Sequence, residues 1–213
     1  MHRIITIIYG LLALGYVVTT LYTPYSWGFL LKASPILLLA VIVFTRSALP
    51  AKWMLLGAIL CSACGDMLLA LPIENSFILG LSAFALAHVL YACFLYHWHD
   101  VTRLTSLTIG LFAAYVVSML FLLVPAVGAL LAPVLAYFVV ISLMFFSAFV
   151  ARTQTYTLRV GAILFVTSDS LLAINAFITP LPFQSALVMS SYYAAQYFIV
   201  TGCMALAKEN HGN

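Results

Sequence analysis

Charge is what this sequence lacks. Its 213 residues carry only five acidic and eight Lys or Arg side chains, 6% of the chain, against roughly a quarter in soluble domains. A water-soluble domain of this size cannot cover its surface with so few charges, so a soluble fold is excluded. The net charge of +3 needs no nucleic acid to explain it, and none is expected as a partner. Cysteine is also sparse. Cys61, Cys64, Cys93 and Cys203 all fall inside apolar stretches and form neither a disulfide framework nor a closed zinc-ligand spacing. Even the Cys61-x-x-Cys64 pair lies in mid-helix, where packing is the expected role. No P-loop, dinucleotide fingerprint, G-x-S-x-G or H-E-x-x-H is present. His97, His99 and Asp100 form an H-x-H-D cluster that reads as a polar interfacial loop, because no third or fourth ligand is evident. Neither a metal nor another cofactor is expected.

What the sequence has instead is apolar length. Hydrophobic residues make up 66% of it, in eight stretches near the roughly 20 residues a helix needs to cross a bilayer. Helices are expected because they satisfy their own backbone hydrogen bonds in lipid, and the runs are too long and unbroken for a transmembrane barrel. The spans are placed at about 4–22, 27–45, 53–71, 76–96, 104–124, 127–150, 158–178 and 184–206. The first could be mistaken for a signal peptide, but it is as long as the others and lacks a cleavage site, so it reads as a retained helix. The result is an all-α integral membrane protein with one transmembrane domain over residues 1–213 and no separate soluble domain. Pro24, Pro50, Pro72, Pro125, Pro180 and Pro182 mark the connections, while Pro35 and Pro133 fall inside spans and are expected to kink them. Trp27, Trp53, Trp98, Tyr22 and Tyr25 lie near boundaries as an aromatic belt. Gly10, Gly15, Ala83 and Ala87 are expected to allow close helix packing.

The basic residues orient the chain. Arg3, Arg46, Lys52, Arg103, Arg152, Arg159 and Lys208 all fall at the termini or in the second, fourth and sixth connections. The opposite connections contain no Lys or Arg and a single acid, Glu74. The positive-inside rule then puts both termini in the cytoplasm of a multi-pass protein, read as residing in a bacterial inner membrane.

An internal echo divides the chain into halves of about 1–103 and 104–213. The third span, from Gly57 to Asp66 and on to Ala70, resembles the seventh, from Gly161 to Asp169 and on to Ala173, with one residue of offset. The next helices echo more weakly, Phe84–His88 against Tyr192–Gln196. A parallel four-plus-four duplication follows.

Ionisable groups inside the spans need a reason, since a mid-bilayer charge costs ~2.5–3.5 kcal/mol even on lenient scales. They are Lys32, Asp66, His88 and Asp169, with Tyr137, Asn175, Tyr192, Tyr193 and Gln196 as polar companions. With a rise of ~1.5 Å per residue, these groups share the outer half to the middle of the bilayer. Polar side chains from several helices at one depth are how a bundle builds a cavity. Matched acids favour a functional cavity over a snorkelling lysine and a helix-bonded acid. A transporter for small solutes or lipids would use the same cavity. It is the alternative to an enzyme.

At these residues the sequence resembles the YhhN family of membrane proteins. The resemblance runs through Lys32-x-x-Pro35, Gly65-Asp66 with Leu68-Leu69, Phe77-x-x-Gly80 and His88-x-x-Tyr91. It continues through Ser168-Asp169 with Asn175 and ends at Tyr192-Tyr193-Ala-Ala-Gln196-Tyr197. It implies a lysoplasmalogenase-like hydrolase, which cleaves the vinyl ether of a lysophospholipid-like substrate, with the membrane lipids as its other expected partners. The products are a fatty aldehyde and glycerophospho-ethanolamine or -choline. Asp66 and Asp169 are then the expected acid–base pair, with His88 orienting water or moving a proton. Lys32, Tyr137, Asn175, Tyr192, Tyr193 and Gln196 are expected to bind substrate.

Overall fold

A computed structural model describes residues 2–22, 28–46 and 49–210. Among them the chain forms eight α-helices: α1 His2–Thr19, α2 Gly28–Phe44, α3 Lys52–Ala70, α4 Ser76–Tyr96, α5 Ser106–Leu123, α6 Leu131–Val150, α7 Thr157–Phe177 and α8 Gln184–Glu209. Short 3-10 turns, Val101–Arg103 and Gly128–Leu130, lead into α5 and α6. The expected Trp27, Tyr25 and Pro24 lie outside the described residues. Five helical segments are long and apolar enough to cross a membrane: α3, α4, α5, Gly128–Val150 and α7. α1 and α2 are shorter apolar helices. α8 has the length, but Ser190, Ser191, Tyr192, Tyr193 and Gln196 lower its hydropathy at the centre. The protein is a multi-pass membrane protein.

The surface confirms the solvent. Large apolar side chains point outward on every helix, among them Leu11, Leu30, Trp53, Leu86, Leu111, Phe121 at 81% exposure, Val139, Ile163 and Leu187. The buried set includes alanines, aromatics and the polar groups Lys32, Ser62, Asp66, His88, Ser168 and Gln196. A surface as apolar as this, around a largely apolar core, is what lipid permits and water does not.

Two helix pairs form the frame. α3 packs along α4 and α7 along α8, more extensively than any other pairs. Glycine lets them approach. A Cβ on Gly65 would lie 2.7 Å from the Phe84 ring, and one on Gly161 would lie 2.9 Å from the backbone nitrogen of Ile199. The expectation for Gly10 and Gly15 is corrected, because no atom outside α1 stands within 4 Å of a Cβ built there. Pro133 also differs from expectation. It is the third residue of α6 rather than an interior one, in the first turn, where a missing N–H removes no hydrogen bond. Pro35 does sit inside α2.

At the end of the bundle where most basic residues gather, the α4–α5 and α6–α7 connections join. Asp100 N–H donates to Val150 O at 2.7 Å and Arg152 N–H to Trp98 O at 2.8 Å. Asn210, just past α8, donates to Arg152 O at 3.4 Å, so these connections and the end of α8 share one face. The H-x-H-D cluster is spent locally. His97 and His99 bond to carbonyls of α4, and Asp100 accepts from Thr102 N–H and Oγ1–H. The four cysteines are free. Cys203 is buried, whereas Cys64 and Cys93 are exposed on the lipid-facing surface rather than packed.

Candidate functional site

Helical period gathers the polar side chains. On α4, Phe84, His88 and Tyr91 stand at i, i+4 and i+7; on α8, Tyr192 and Gln196 stand at i and i+4; each set shares one face. These faces meet the inner faces of α2, α3, α6 and α7, and the result is two carboxylate cradles.

The first cradle holds Asp66, which is 1% exposed. Lys32 Nζ stands 3.7 Å from Oδ1, and the Tyr192 hydroxyl donates to Oδ2 at 2.8 Å. Behind Tyr192, the Gln196 amide donates to its hydroxyl at 3.4 Å, and the Tyr91 hydroxyl donates to Gln196 Oε1 at 2.7 Å. The Tyr193 hydroxyl donates to the Lys32 carbonyl, and Tyr9 of α1 donates to the Tyr193 carbonyl, each at 2.7 Å. Five helices therefore fix one ion pair.

The second cradle holds Asp169. The Tyr137 hydroxyl donates to its Oδ2 at 2.6 Å, and His88 Nε2 lies 3.0 Å from the Tyr137 oxygen and 3.7 Å from Oδ2. With its hydrogen committed to Asp169, the Tyr137 oxygen accepts from His88 Nε2–H, which leaves Nδ1 as the bare nitrogen. Nδ1 is buried and has no partner among the described residues, a position tolerable for a lone pair and costly for an N–H. Phe84 and Phe165 stand between the cradles, edge-on to the Tyr192 ring at 5.7 and 5.5 Å, and Phe165 lies 4.6 Å from the His88 ring.

Both acids open onto the same space. A cavity of about 310 Å³ is lined by Lys32, Asp66, Asp169 and Tyr192, with Ser76, Gln184 and Ser185 toward one end of the bundle. Asp169 also borders a second, apolar pocket of about 60 Å³, together with Tyr137, Met119, Leu123, Val134 and Phe138. Leu69, Phe77, Phe84 and Leu172 line both spaces, so Asp169 stands where a polar chamber meets a greasy one. It is eight residues from the end of α7, and Asp66 is four from the end of α3. At ~1.5 Å per residue, Asp169 lies deeper by about 6 Å.

The expected residues thus divide. Lys32, Asp66, Asp169 and Tyr192 face the cavity and Tyr137 faces the apolar pocket. His88, Tyr193 and Gln196 stand one layer back, holding Tyr137, Lys32 and Tyr192 in turn. Asn175 does neither. Its Oδ1 accepts from Leu181 N–H at 3.0 Å and fastens the α7–α8 connection. It read as a site residue because a polar amide inside a span, close to Asp169, looks the same in sequence whether it faces a cavity or fastens a helix end. Sequence reading missed Tyr9, Tyr16, Tyr115 and Ser170. Tyr16 lines the polar cavity, and Tyr115 and Ser170 line the apolar pocket, joined by a hydrogen bond of 2.7 Å. One signal was available: Gly15-Tyr16-Val17-Val18 echoes Ala114-Tyr115-Val116-Val117. For Tyr9 no sequence signal is apparent. Among the described residues no group of three metal-ligating side chains converges.

The chain matches the YhhN family over residues 27–203. It is 34% identical over 187 residues to Lysoplasmalogenase TMEM86B of Mus musculus, covering 84% of this chain and 76% of the relative. It is 36% identical over 186 residues to the protein of the same name in Sus scrofa, covering 82% and 74%. Lysoplasmalogenase of Mycobacterium tuberculosis is 36% identical over 180 residues, covering 80% of this chain and 68% of the relative. No solved structure matches the chain. With the family match covering Lys32, both acids and the tyrosines that donate to them, the chain belongs to the YhhN family.

Proposed function

We propose that this protein is an intramembrane hydrolase that cleaves the vinyl ether of a lysoplasmalogen, giving a fatty aldehyde and glycerophospho-ethanolamine or -choline. The observation that carries the reading is the junction at Asp169, where a polar chamber holding a second carboxylate and a lysine meets an apolar pocket. A lysolipid has that shape: a charged head, a reactive ether and a chain. The names of the mammalian and mycobacterial relatives point to the same substrate class.

The chemistry asks for two carboxyl groups. One protonates the vinyl carbon distal to oxygen, leaving an oxocarbenium ion. The other stabilises that cation and takes a proton from the water that adds to it. The hemiacetal then collapses as its hydroxyl loses a proton, the glycerol oxygen gains one, and the carbon–oxygen bond breaks. Asp66 and Asp169 supply the pair. Tyr137 and Tyr192 each donate to one oxygen of their acid, and the other oxygen of Asp66 faces the Lys32 ammonium. Lys32 offers an ammonium to the lipid phosphate, and His88 holds the Tyr137 hydroxyl on Asp169.

The same reading takes residues 1–213 as one transmembrane domain of eight spans, with both termini in the cytoplasm of a bacterial inner membrane. Its support is the basic residues at the joined connections and at the end of α8. A duplication with halves near 1–103 and 104–213 is supported by the paired acids and by glycines at like places. Gly57 faces Leu90 of α4 as Gly161 faces Ile199 of α8.

The test is aldehyde release from lysoplasmalogen by the purified protein and by Asp66→Asn and Asp169→Asn. General acid–base roles predict losses of about 10²- to 10⁴-fold. Full activity in both variants, with normal folding, would sink the assignment. Turnover in detergent also separates an enzyme from a transporter, which acts only across a sealed membrane.

A further inference from the structure

The apolar pocket beside Asp169 is too small for its proposed occupant. An apolar cavity of ~150 Å³ holds one benzene ring, so about 60 Å³ takes only a few carbons of a lipid chain. The rest must go elsewhere. A third space of about 460 Å³ lies between α5, α6 and α7, lined by Thr108, Phe112, Phe145, Phe149, Ile163 and Thr167. Tyr115 and Ser170 line both this groove and the pocket, and their hydrogen bond of 2.7 Å is the partition between them.

The groove is built for hydrocarbon. Phe112, Phe145 and Phe149 stack along it with ring centres 4.1 and 4.4 Å apart. Its rim residues Leu111 and Ile163 are 64% and 49% exposed, so it opens to lipid. From Tyr115 to Thr108, and from Ser170 to Ile163, it runs about 10 Å along the helices, away from the end where Gln184 and Ser76 line the polar cavity. α5, its outer wall, buries only Phe112, Met119 and Leu123 and packs sparsely against its neighbours, so it has little to lose by shifting. The direction is that of a lipid chain whose head sits in the polar cavity.

We propose that the chain of the substrate passes Asp169, crosses between Tyr115 and Ser170 and lies in the α5–α6–α7 groove, so that Ser170 determines which chain lengths are accepted. This rests on the hydrolase reading for the identity of the lipid. Ser170 is small and directly follows Asp169. Its hydroxyl bonds both to Tyr115 and to the Val166 carbonyl of its own helix, so releasing Tyr115 leaves it partnered. A larger residue there closes the passage.

Two measurements test the path. The first compares kcat/KM for hexadecenyl and butenyl lysoplasmalogens in wild type and Ser170→Phe. The long-to-short ratio is expected to fall on the order of 100-fold, the effect of excluding a few methylenes; an unchanged ratio overturns the proposal. The second needs no activity and no variant. An uncleavable alkyl-ether lysophospholipid with a diazirine near its methyl end is photolysed on the wild-type protein, and the labelled peptides are sequenced. Label on α5 between Thr108 and Tyr115, or on α7 between Ile163 and Ser170, supports the path. Label confined to α1–α3, or absent from the protein, overturns it. Groove labelling without aldehyde release would instead overturn the hydrolase reading and leave the chain path standing.

Discussion

Replacing Lys32 by Met leaves the Asp66 carboxylate, buried in the wall of the cavity, with one neutral donor. Lys32 is 8% exposed and Asp66 1%, and the two stand 3.7 Å apart. Removing one partner of a buried pair costs about 3–5 kcal/mol, because the remaining charge has lost its counterpart. Here Tyr192 still donates at 2.8 Å and the cavity admits solvent, so the lower end, about 3 kcal/mol, is expected. For a chain of this size that is a fall of about 6–12 °C in Tm. The double variant Lys32→Met/Asp66→Asn removes both charges and keeps the Tyr192 hydrogen bond to an amide oxygen. It should recover about 2 kcal/mol of the loss, the coupling of groups in direct contact. The assay is thermal unfolding of all four proteins in one detergent, followed by size-exclusion fluorescence. A single Lys32→Met variant as stable as wild type, or a double variant no better than the single, would refute a coupled ion pair at this site.

Tyr137→Phe removes the only hydroxyl bonded to Asp169 Oδ2 among the described residues. At the worth of a hydrogen bond to a charged group, kcat/KM for lysoplasmalogen should fall about 10- to 100-fold, with little change in KM. Gly161→Val should cost about 1–3 kcal/mol in thermal unfolding, because its Cβ meets the Ile199 backbone, which cannot step aside. Gly110→Ala, where no atom outside the helix lies within 4 Å, should be neutral or slightly stabilising. On the loop before α5, the Thr102 hydroxyl holds the half-buried Asp100 carboxyl below the usual carboxylate range. The cap on Val101–Arg103 should therefore be intact above that range and be lost as pH falls through the depressed value, read as faster amide exchange at Thr102 after correction for intrinsic rate.

The frame was legible because lipid imposes one rule, internal satisfaction of the backbone, and apolar length reports it directly. Each described helix lies within a few residues of its expected span. The errors fell where a residue serves two readings. Pro133 looks interior when a 3-10 turn and a helix are counted as one span, and Gly15 looks like a contact when it faces lipid. Within the site, the expensive groups Lys32, Asp66, His88 and Asp169 announced themselves by cost. Tyr9, Tyr115 and Ser170 did not, because a tyrosine or serine is cheap in a membrane helix. Its role appears only when a partner on another helix is seen.

The same logic explains why the two cradles are not interchangeable. If the halves are copies, aligning Pro35 with Pro133 sets Lys32 opposite Leu130, and aligning Phe84 with Tyr192 sets His88 opposite Gln196. Both acids keep a tyrosine donor, yet among the described residues Asp66 pairs with a lysine and Asp169 does not, while Asp169 borders the apolar pocket and Asp66 does not. On that alignment, leucine at the lysine position would keep a charge away from the apolar pocket beside Asp169. A duplicated bundle with two equal polar cradles would bind two heads and no chain. With one cradle charged and the other bordered by apolar side chains, the bundle can hold a single amphipath across both, its reactive bond between the acids.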